Sequence, residues 1–261
     1  MARRKKLGFA LGSGGARGVA HIGFLQAMEE NGIKPDVISG CSMGSVVGAA
    51  YASGMSPSEM FQAVKTLRLI DLLDITVKPG GLLDTRKMRK VLAKYLGEIT
   101  FEDLKIPFSC IAVDMISQQL VEFKTGNVVD AVVCSSSIPS VFKPTEKDGM
   151  RLIDGGILER VPVREVKAMG AKKVVAVDVM GNKQAQEKCP GMIGMMSDVI
   201  ELMDNHRTLR RRQESDDIID LWCEPDLGTM SVYTFRHTTF AYQKGYECGL
   251  EHVEQIKALL K

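Results

Sequence analysis

Residues Gly40-Cys41-Ser42-Met43-Gly44 constrain the fold more than any other stretch. They read GxSxG between an apolar run, Val37-Ile38, and the small-residue series Ser45-Val46-Val47-Gly48-Ala49-Ala50-Tyr51-Ala52. This is the pattern of a nucleophile elbow, in which a strand turns sharply into a helix and leaves a serine on a strained turn with its hydroxyl exposed. Gly40 and Gly44 let neighbouring backbone pass close by. The slim helix that follows can then pack behind Ser42 and aim its N-terminal dipole at an anion.

A second turn lies upstream. Leu7-Gly8-Phe9-Ala10-Leu11 reads as a buried strand, and Gly12-Ser13-Gly14-Gly15-Ala16-Arg17-Gly18 as a glycine-rich turn into a helix. Glycines free backbone N–H groups to converge on one point, which makes the loop a candidate oxyanion hole; losing one donor of such a hole typically costs about 10²- to 10³-fold in rate. A dinucleotide site is excluded because the GxGxxG pattern would need glycine where Arg17 stands, and a Walker loop is excluded for want of a Gly-Lys-Ser/Thr ending. Arg17 either orders the loop through its own hydrogen bonds or binds a phosphate. Further on, Leu152-Ile153-Asp154-Gly155-Gly156 is an apolar step ending in a carboxylate and two glycines. Asp-Gly is also a common turn dipeptide, so Asp154 gains meaning only in company with Ser42.

A serine nucleophile needs a base, and the order Ser42 then Asp154 leaves open a dyad or a triad completed by histidine. There are four histidines. His21 reads as structural beside the glycine loop, and His206 and His252 read as solvated-face residues among charges. His237 is the best triad candidate. An ordinary α/β-hydrolase places several strands before its elbow, whereas only one strand-helix unit precedes Ser42. The dyad leads.

With these blocks in place the chain resembles the patatin-like phospholipase family. Gly14-Gly15-Ala16-Arg17-Gly18 matches its glycine-rich block, with Ser13 where the family often has a further glycine. Gly40 to Gly44 matches the elbow, Cys134-Ser135-Ser136-Ser137-Ile138-Pro139 the small-residue block before a proline, and Asp154-Gly155-Gly156 the Asp-Gly-Gly. One departure stands out: Glu159-Arg160-Val161-Pro162 occupies a segment where many members carry asparagines before the proline, which puts the polar contacts made there in question. The motifs fall within about residues 7–162 of a single domain read over residues 1–261.

The resemblance implies a patatin-like α/β layered fold, with a mostly parallel central sheet flanked by helices. It implies a serine esterase that hydrolyses fatty-acyl esters of (lyso)phospholipids: Ser42 attacks the carbonyl, Asp154 serves as base, and the loop Gly14, Gly15, Ala16 and Arg17 holds the oxyanion, chiefly through the Gly14 and Gly15 amides. Gly40, Gly44, Gly155 and Gly156 support the site. The partner implied is an acyl-lipid substrate, with no cofactor or metal. A carboxylate is a weak base at its ordinary pKa near 3.9, so the chemistry calls for burial of Asp154 and a direct hydrogen bond to Ser42. The alternatives are an acyltransferase or thioesterase on carrier-bound acyl groups, and a lipid-binding or regulatory module without turnover.

Composition is consistent with this. A 45% hydrophobic content over 261 residues supplies one core, and six cysteines with no CxxC pair fit reduced thiols and a cytoplasmic location. Cys41 is the rival nucleophile, disfavoured because the residue before an elbow serine normally points elsewhere. Arg3-Arg4-Lys5-Lys6 precedes an apolar run too short for a leader, and no stretch reaches the roughly 18 to 20 apolar residues of a membrane span. A net charge of +2 argues against nucleic acid; contact at the membrane periphery is the other partner considered, through Arg3 to Lys6 and Arg207, Arg210, Arg211 and Arg212, against the plainer reading of a solvated helix face.

Along the chain, Ser56 caps a helix opened by Pro57 and running to about Leu69. Lys78 to Gly81 is a loop, and Asp84 or Thr85 caps a helix ended by Gly97. Phe108 to Asp114 and Leu120 to Phe123 read as strands, Asn127 opens a helix to about Ser135, and Lys173 to Val179 is a buried parallel strand. Asn182 to Pro190 is loop-like. The methionine-rich helix from Met192 is read as core or oligomer-facing packing, with an acyl-pocket wall or lid as alternatives.

Overall fold

The computed structural model describes residues 6–66, 83–139, 141–181 and 191–261. In chain order its elements are β1 (Leu7–Leu11), α1 (Val19–Glu30), β2 (Val37–Cys41), α2 (Met43–Ser53), α3 (Pro57–Thr66), α4 (Arg86–Leu96), β3 (Phe108–Asp114) and β4 (Gln119–Phe123). They continue with α5 (Val128–Ser135), β5 (Thr145–Lys147), β6 (Met150–Asp154), α6 (Val163–Ala168), β7 (Lys173–Val177), α7 (Gly191–Glu214), β8 (Leu221–Cys223) and α8 (Thr238–Leu260). The expected helix from Pro57 ends at Thr66 among the described residues, β7 stops at Val177 rather than Val179, and the loops expected over 78–81 and 182–190 lie outside them.

One sheet forms the middle layer, in the order β5-β6-β3-β2-β1-β7-β8, with β4 also paired to β3. The five strands from β3 to β8 along this order run parallel, while β4, β6 and β5 are added antiparallel. The sequence of β1 shows how the layers are built. Its side chains alternate sides, and Leu7, Phe9 and Leu11 enter the main core with α1 and α2. Gly8 and Ala10 face the other way, where a side chain at Gly8 would strike Val166 of α6. Large residues on one side and small ones on the other thus set two helical layers at different heights above the sheet. On the thicker side α8 lies against α1, and glycines at the crossing bring the two backbones together, Gly23 opposite Tyr242 and Gly245 opposite Ala20.

Caps fix the helix starts as expected. Asn127 accepts the Asp130 N–H at 2.9 Å, and Ser56 accepts the Glu59 N–H at 3.3 Å while Glu59 takes the Ser56 N–H at 2.8 Å, a capping box. The β5–β6 hairpin turns at Asp148-Gly149, both at positive φ (50° and 78°), as a two-residue turn of this kind requires.

The registers around β3 decide where the site forms. Cys110 and Ile111 are flanked by β2 on one edge and β4 on the other. Beyond them Ala112–Asp114 keep β4 but have β6 on the opposite edge. β2 and β6 therefore share one edge of β3 and meet head to head, with Cys41 beside Ile111 and Asp154 beside Ala112. Among the described residues, no helix is long and apolar enough to cross a membrane.

Candidate active site

Ser42 stands where β2 breaks into α2. Its backbone, at φ 52° and ψ −121°, is held in a region that residues with side chains rarely adopt. The surroundings enforce it: the Ser42 N–H is donated to Ser135 Oγ at 3.0 Å, and its carbonyl accepts from Ser45 N and Val46 N at 2.8 and 3.1 Å. The elbow glycines are needed for close approach. A Cβ on Gly44 would lie 2.6 Å from the Gly12 carbonyl oxygen, and one on Gly40 would lie 2.5 Å from the Gly44 oxygen.

Asp154 arrives from the other direction at the end of β6 and is 6% exposed. Its carboxylate accepts the Gly156 N–H at 2.8 Å and lies close enough to the Ser42 hydroxyl for that group to lower its pKa. The Gly155 backbone lies against β3, where a Cβ would meet the Ile111 oxygen at 2.6 Å. Burial pushes the Asp154 pKa up to about 6, against the lowering by nearby Ser42 and by the Gly156 and Cys41 hydrogen bonds. Cys41 departs from expectation. Its thiol does not turn away but donates to Asp154 Oδ1 at 3.8 Å, because Asp154 lies directly beyond the end of β2. Complete burial beside that carboxylate pushes the thiol pKa well up, which keeps it protonated and a poor nucleophile.

The glycine loop follows β1, on the strand next to the elbow. Gly15 takes φ 51°, and its Cα faces the Val232 backbone so closely that a Cβ there would collide with it. Among the described residues the Gly14 and Gly15 N–H groups have no acceptor, and both glycines line a cavity with Ser42 and Asp154. Ala16 and Arg17 stand differently from the expectation for the whole loop: the Ala16 N–H is donated to the Val232 oxygen at 2.9 Å and the Arg17 N–H to the Gly14 oxygen at 3.0 Å. Arg17 orders the loop. Its guanidinium, 2% exposed, donates to the carbonyls of Val179 at 2.7 Å and of Met180, Gly228 and Met230 at 3.0 Å, tying the loop to two distant segments. These partners had no signal in the sequence.

Among the described residues no histidine hydrogen-bonds to Ser42 or Asp154. His21 is fully buried, with Nε2–H donated to the Gly12 oxygen at 2.8 Å, and burial drives its pKa down to about 4. His206 and His237 are exposed, and His252, half-buried, turns to the Cys248 carbonyl.

Two cavities meet at Ser42. One, of about 260 Å³, is almost wholly apolar and runs between α2, α3 and α4, past Val47, Met60, Ala63, Leu92 and Phe235. The other, of about 400 Å³, is more polar, with Asp154 and Gly156 on one wall and Glu201, Asp204 and Arg207 of α7 on the other. Helix α7 is seated by charge. Arg160, 5% exposed, donates to Asp178 at 2.7 Å and to Asp204 at 2.9 Å, and Arg211 faces Glu159 at 3.5 Å. The segment that departs from the family pattern thus supplies its own polar contacts. Arg207 and Arg211 belong to this inward face, in contrast to the solvated face expected of them. On the methionine-rich helix the described methionines Met195 and Met203 are exposed rather than packed in the core, while the oligomer-facing alternative is untouched.

Fold and site together define an α/β protein with an elbow serine and a buried carboxylate lining one cavity. The family model described as patatin-like phospholipase matches residues 9–167, and the chain belongs to that family. It is 36% identical over 181 residues to an uncharacterized NTE family protein of Mycobacterium bovis, covering 68% of this chain and 50% of that protein. It is 28% identical over 287 residues to lysophospholipase NTE1 of Coccidioides immitis, covering 98% of this chain and 18% of the relative. The chain thus spans half the length, or less, of these relatives. VipD from Legionella pneumophila shares the fold at a TM-score of 0.64 and 14% identity, over 97% of this chain and 67% of VipD. Full-length ExoU from Pseudomonas aeruginosa, solved with SpcU, does so at 0.52 and 18%, over 99% of this chain and 54% of that one.

Proposed function

We propose that this chain is a serine hydrolase that cleaves fatty-acyl esters of (lyso)phospholipids through a Ser42–Asp154 dyad. The observation that carries the reading is Ser42, held on a strained turn beside the buried Asp154 carboxylate and placed where an almost wholly apolar cavity joins a more polar one. Ser42 Oγ attacks the ester carbonyl as its proton passes to Asp154, and the negative charge that develops on the carbonyl oxygen is met by the Gly14 and Gly15 N–H groups. Asp154 then gives the proton to the departing alkoxide, leaving an acyl-enzyme. Water enters, loses a proton to Asp154 and attacks the acyl carbonyl; the fatty acid leaves and Ser42 regains its proton. The raised Asp154 pKa makes the carboxylate a stronger base than an exposed aspartate. The acyl chain fits the apolar cavity and the alcohol portion the polar one. The lysophospholipase name of the fungal relative supports a lipid ester as substrate.

Wild-type protein is expected to gain one phosphonyl group from a fluorophosphonate, read by intact mass, and to release acid from acyl esters; Ser42→Ala is expected to do neither. A folded wild-type protein that neither labels nor turns over would return the reading to a lipid-binding module. Ala63→Trp places an indole in the apolar cavity and is expected to lower kcat/KM for long-chain esters by about 10- to 100-fold while sparing short ones. A series of acyl esters of increasing chain length checks this.

A further inference from the structure

We infer that the outward face of α7, together with the rim facing it across the polar cavity, docks the protein onto a phospholipid bilayer carrying anionic headgroups. This rests on the lipid-hydrolase reading. Helix α7 is amphipathic in the opposite sense to an ordinary surface helix. Its inward side carries Asp204, Arg207, Thr208 and Arg211, and among the described residues none of its apolar side chains joins a core cluster. Its outward side carries Met195, Val199, Leu202, Met203 and Leu209, at helical spacing along one face and between 48% and 60% exposed. A stripe of this kind is unfavourable in water and suits the interface plane of a membrane.

Position and charge select the bilayer. The helix spans from the end of β7 toward the start of β8, so its first turns lie at the end of the sheet where Ser42 and Asp154 stand, and Glu201 and Arg207 wall the cavity that holds them. Tyr233 lines the same cavity from the other side and is 52% exposed, followed by exposed Arg236 and His237 and by Phe240 at 44%. Among the described residues Arg236 and His237 have no acidic partner. Aromatic and apolar side chains interleaved with the Arg236 guanidinium complement an anionic interface. A second copy of the chain on this face would close the cavity mouth, whereas a bilayer there presents acyl chains to it.

The test uses Ser42→Ala protein, which binds without consuming lipid, sedimented with phosphatidylcholine vesicles alone and with about one third phosphatidylglycerol. Binding is expected to favour the mixed vesicles. Leu202→Asp/Met203→Asp is expected to weaken it by about tenfold or more, and Arg236→Glu to reduce the preference for anionic lipid. In the Ser42 background both variants are expected to hydrolyse a water-soluble short-chain ester as the parent does, which shows that fold and dyad are intact. The docking proposal is overturned if Ser42→Ala protein does not bind vesicles, if the double variant binds as its parent does, or if sedimentation velocity shows a dimer that the double substitution dissolves. Failure of the soluble-ester assay in the parent would instead strike the hydrolase reading, since vesicle binding by Ser42→Ala needs no turnover.

Discussion

Asp154→Asn is expected to reduce ester turnover by about 10⁴-fold or more and at the same time to make the protein more stable at neutral pH. The first effect follows from the loss of the proton acceptor for Ser42, since an amide has no basicity to offer. The second follows from linkage. Burial holds the Asp154 carboxyl at about 6, above its ordinary value near 3.9, so between these pH values the folded protein binds a proton that the unfolded chain has released. Stability therefore falls as pH rises through this window, and above about 6 the full penalty of a buried charge is present. It corresponds to roughly 3 kcal/mol. Asparagine fills the same space without the charge. Its gain should be absent near pH 4, full above pH 6 and visible as a rise in Tm on the order of 5 °C. Calorimetry of both proteins at pH 4 and pH 8 checks the sign; equal Tm differences at the two pH values would contradict it. The wild-type rate is likewise expected to climb with pH through an apparent pKa near 6, as the base loses its proton.

Arg17→Ala is expected to destabilise the fold by about 3–5 kcal/mol, a drop in Tm on the order of 10 °C. The guanidinium donates to four carbonyls, of Val179, Met180, Gly228 and Met230, and alanine leaves them without this donor, three of them in buried surroundings. The change also reaches the chemistry. Arg17 sits directly after Gly14-Gly15-Ala16, so the segments it ties together brace the loop that carries the free N–H groups. Fluorophosphonate labelling well below the Tm should slow along with ester turnover. Arg17→Lys should recover only part of both losses, because one ammonium on a flexible stem cannot hold a planar fork of donors across two segments. Full recovery by lysine would mean that charge rather than geometry is what this position supplies.

Much of the site was legible because short-range backbone demands leave marks in sequence. Gly44 must lie against the Leu11 and Gly12 carbonyls, Gly155 against Ile111, and Gly15 must turn to positive φ; each needs glycine, so the elbow, the Asp-Gly-Gly and the loop after β1 could be found from spacing. The apolar run of β1 and the caps at Ser56 and Asn127 were readable for the same reason, as each is settled within a few residues. What could not be read depends on long-range packing. Nothing local marks Val232 as the acceptor for Ala16, Ser135 as the acceptor for the Ser42 N–H, or Arg160 as the buried anchor of α7. Cys41 misled because the usual orientation of a residue before an elbow takes no account of a second strand ending beside it. In α7 the methionines repeat with helical period, and periodicity cannot say which side of a helix the molecule keeps for itself.

The meeting of β2 and β6 along one edge of β3 gives the two candidate catalytic residues a common ruler. Although far apart in the chain, they are held by adjacent rungs, Ile111 and Ala112, of a single hydrogen-bonded ladder. The connections that join these three strands can lengthen or shorten without altering this register, provided those two rungs stay consecutive. One residue inserted between Ile111 and Ala112 would pull the two strand ends apart by a full step of about 3.3 Å, enough to break the contact between serine and carboxylate while every side chain of the dyad is still present.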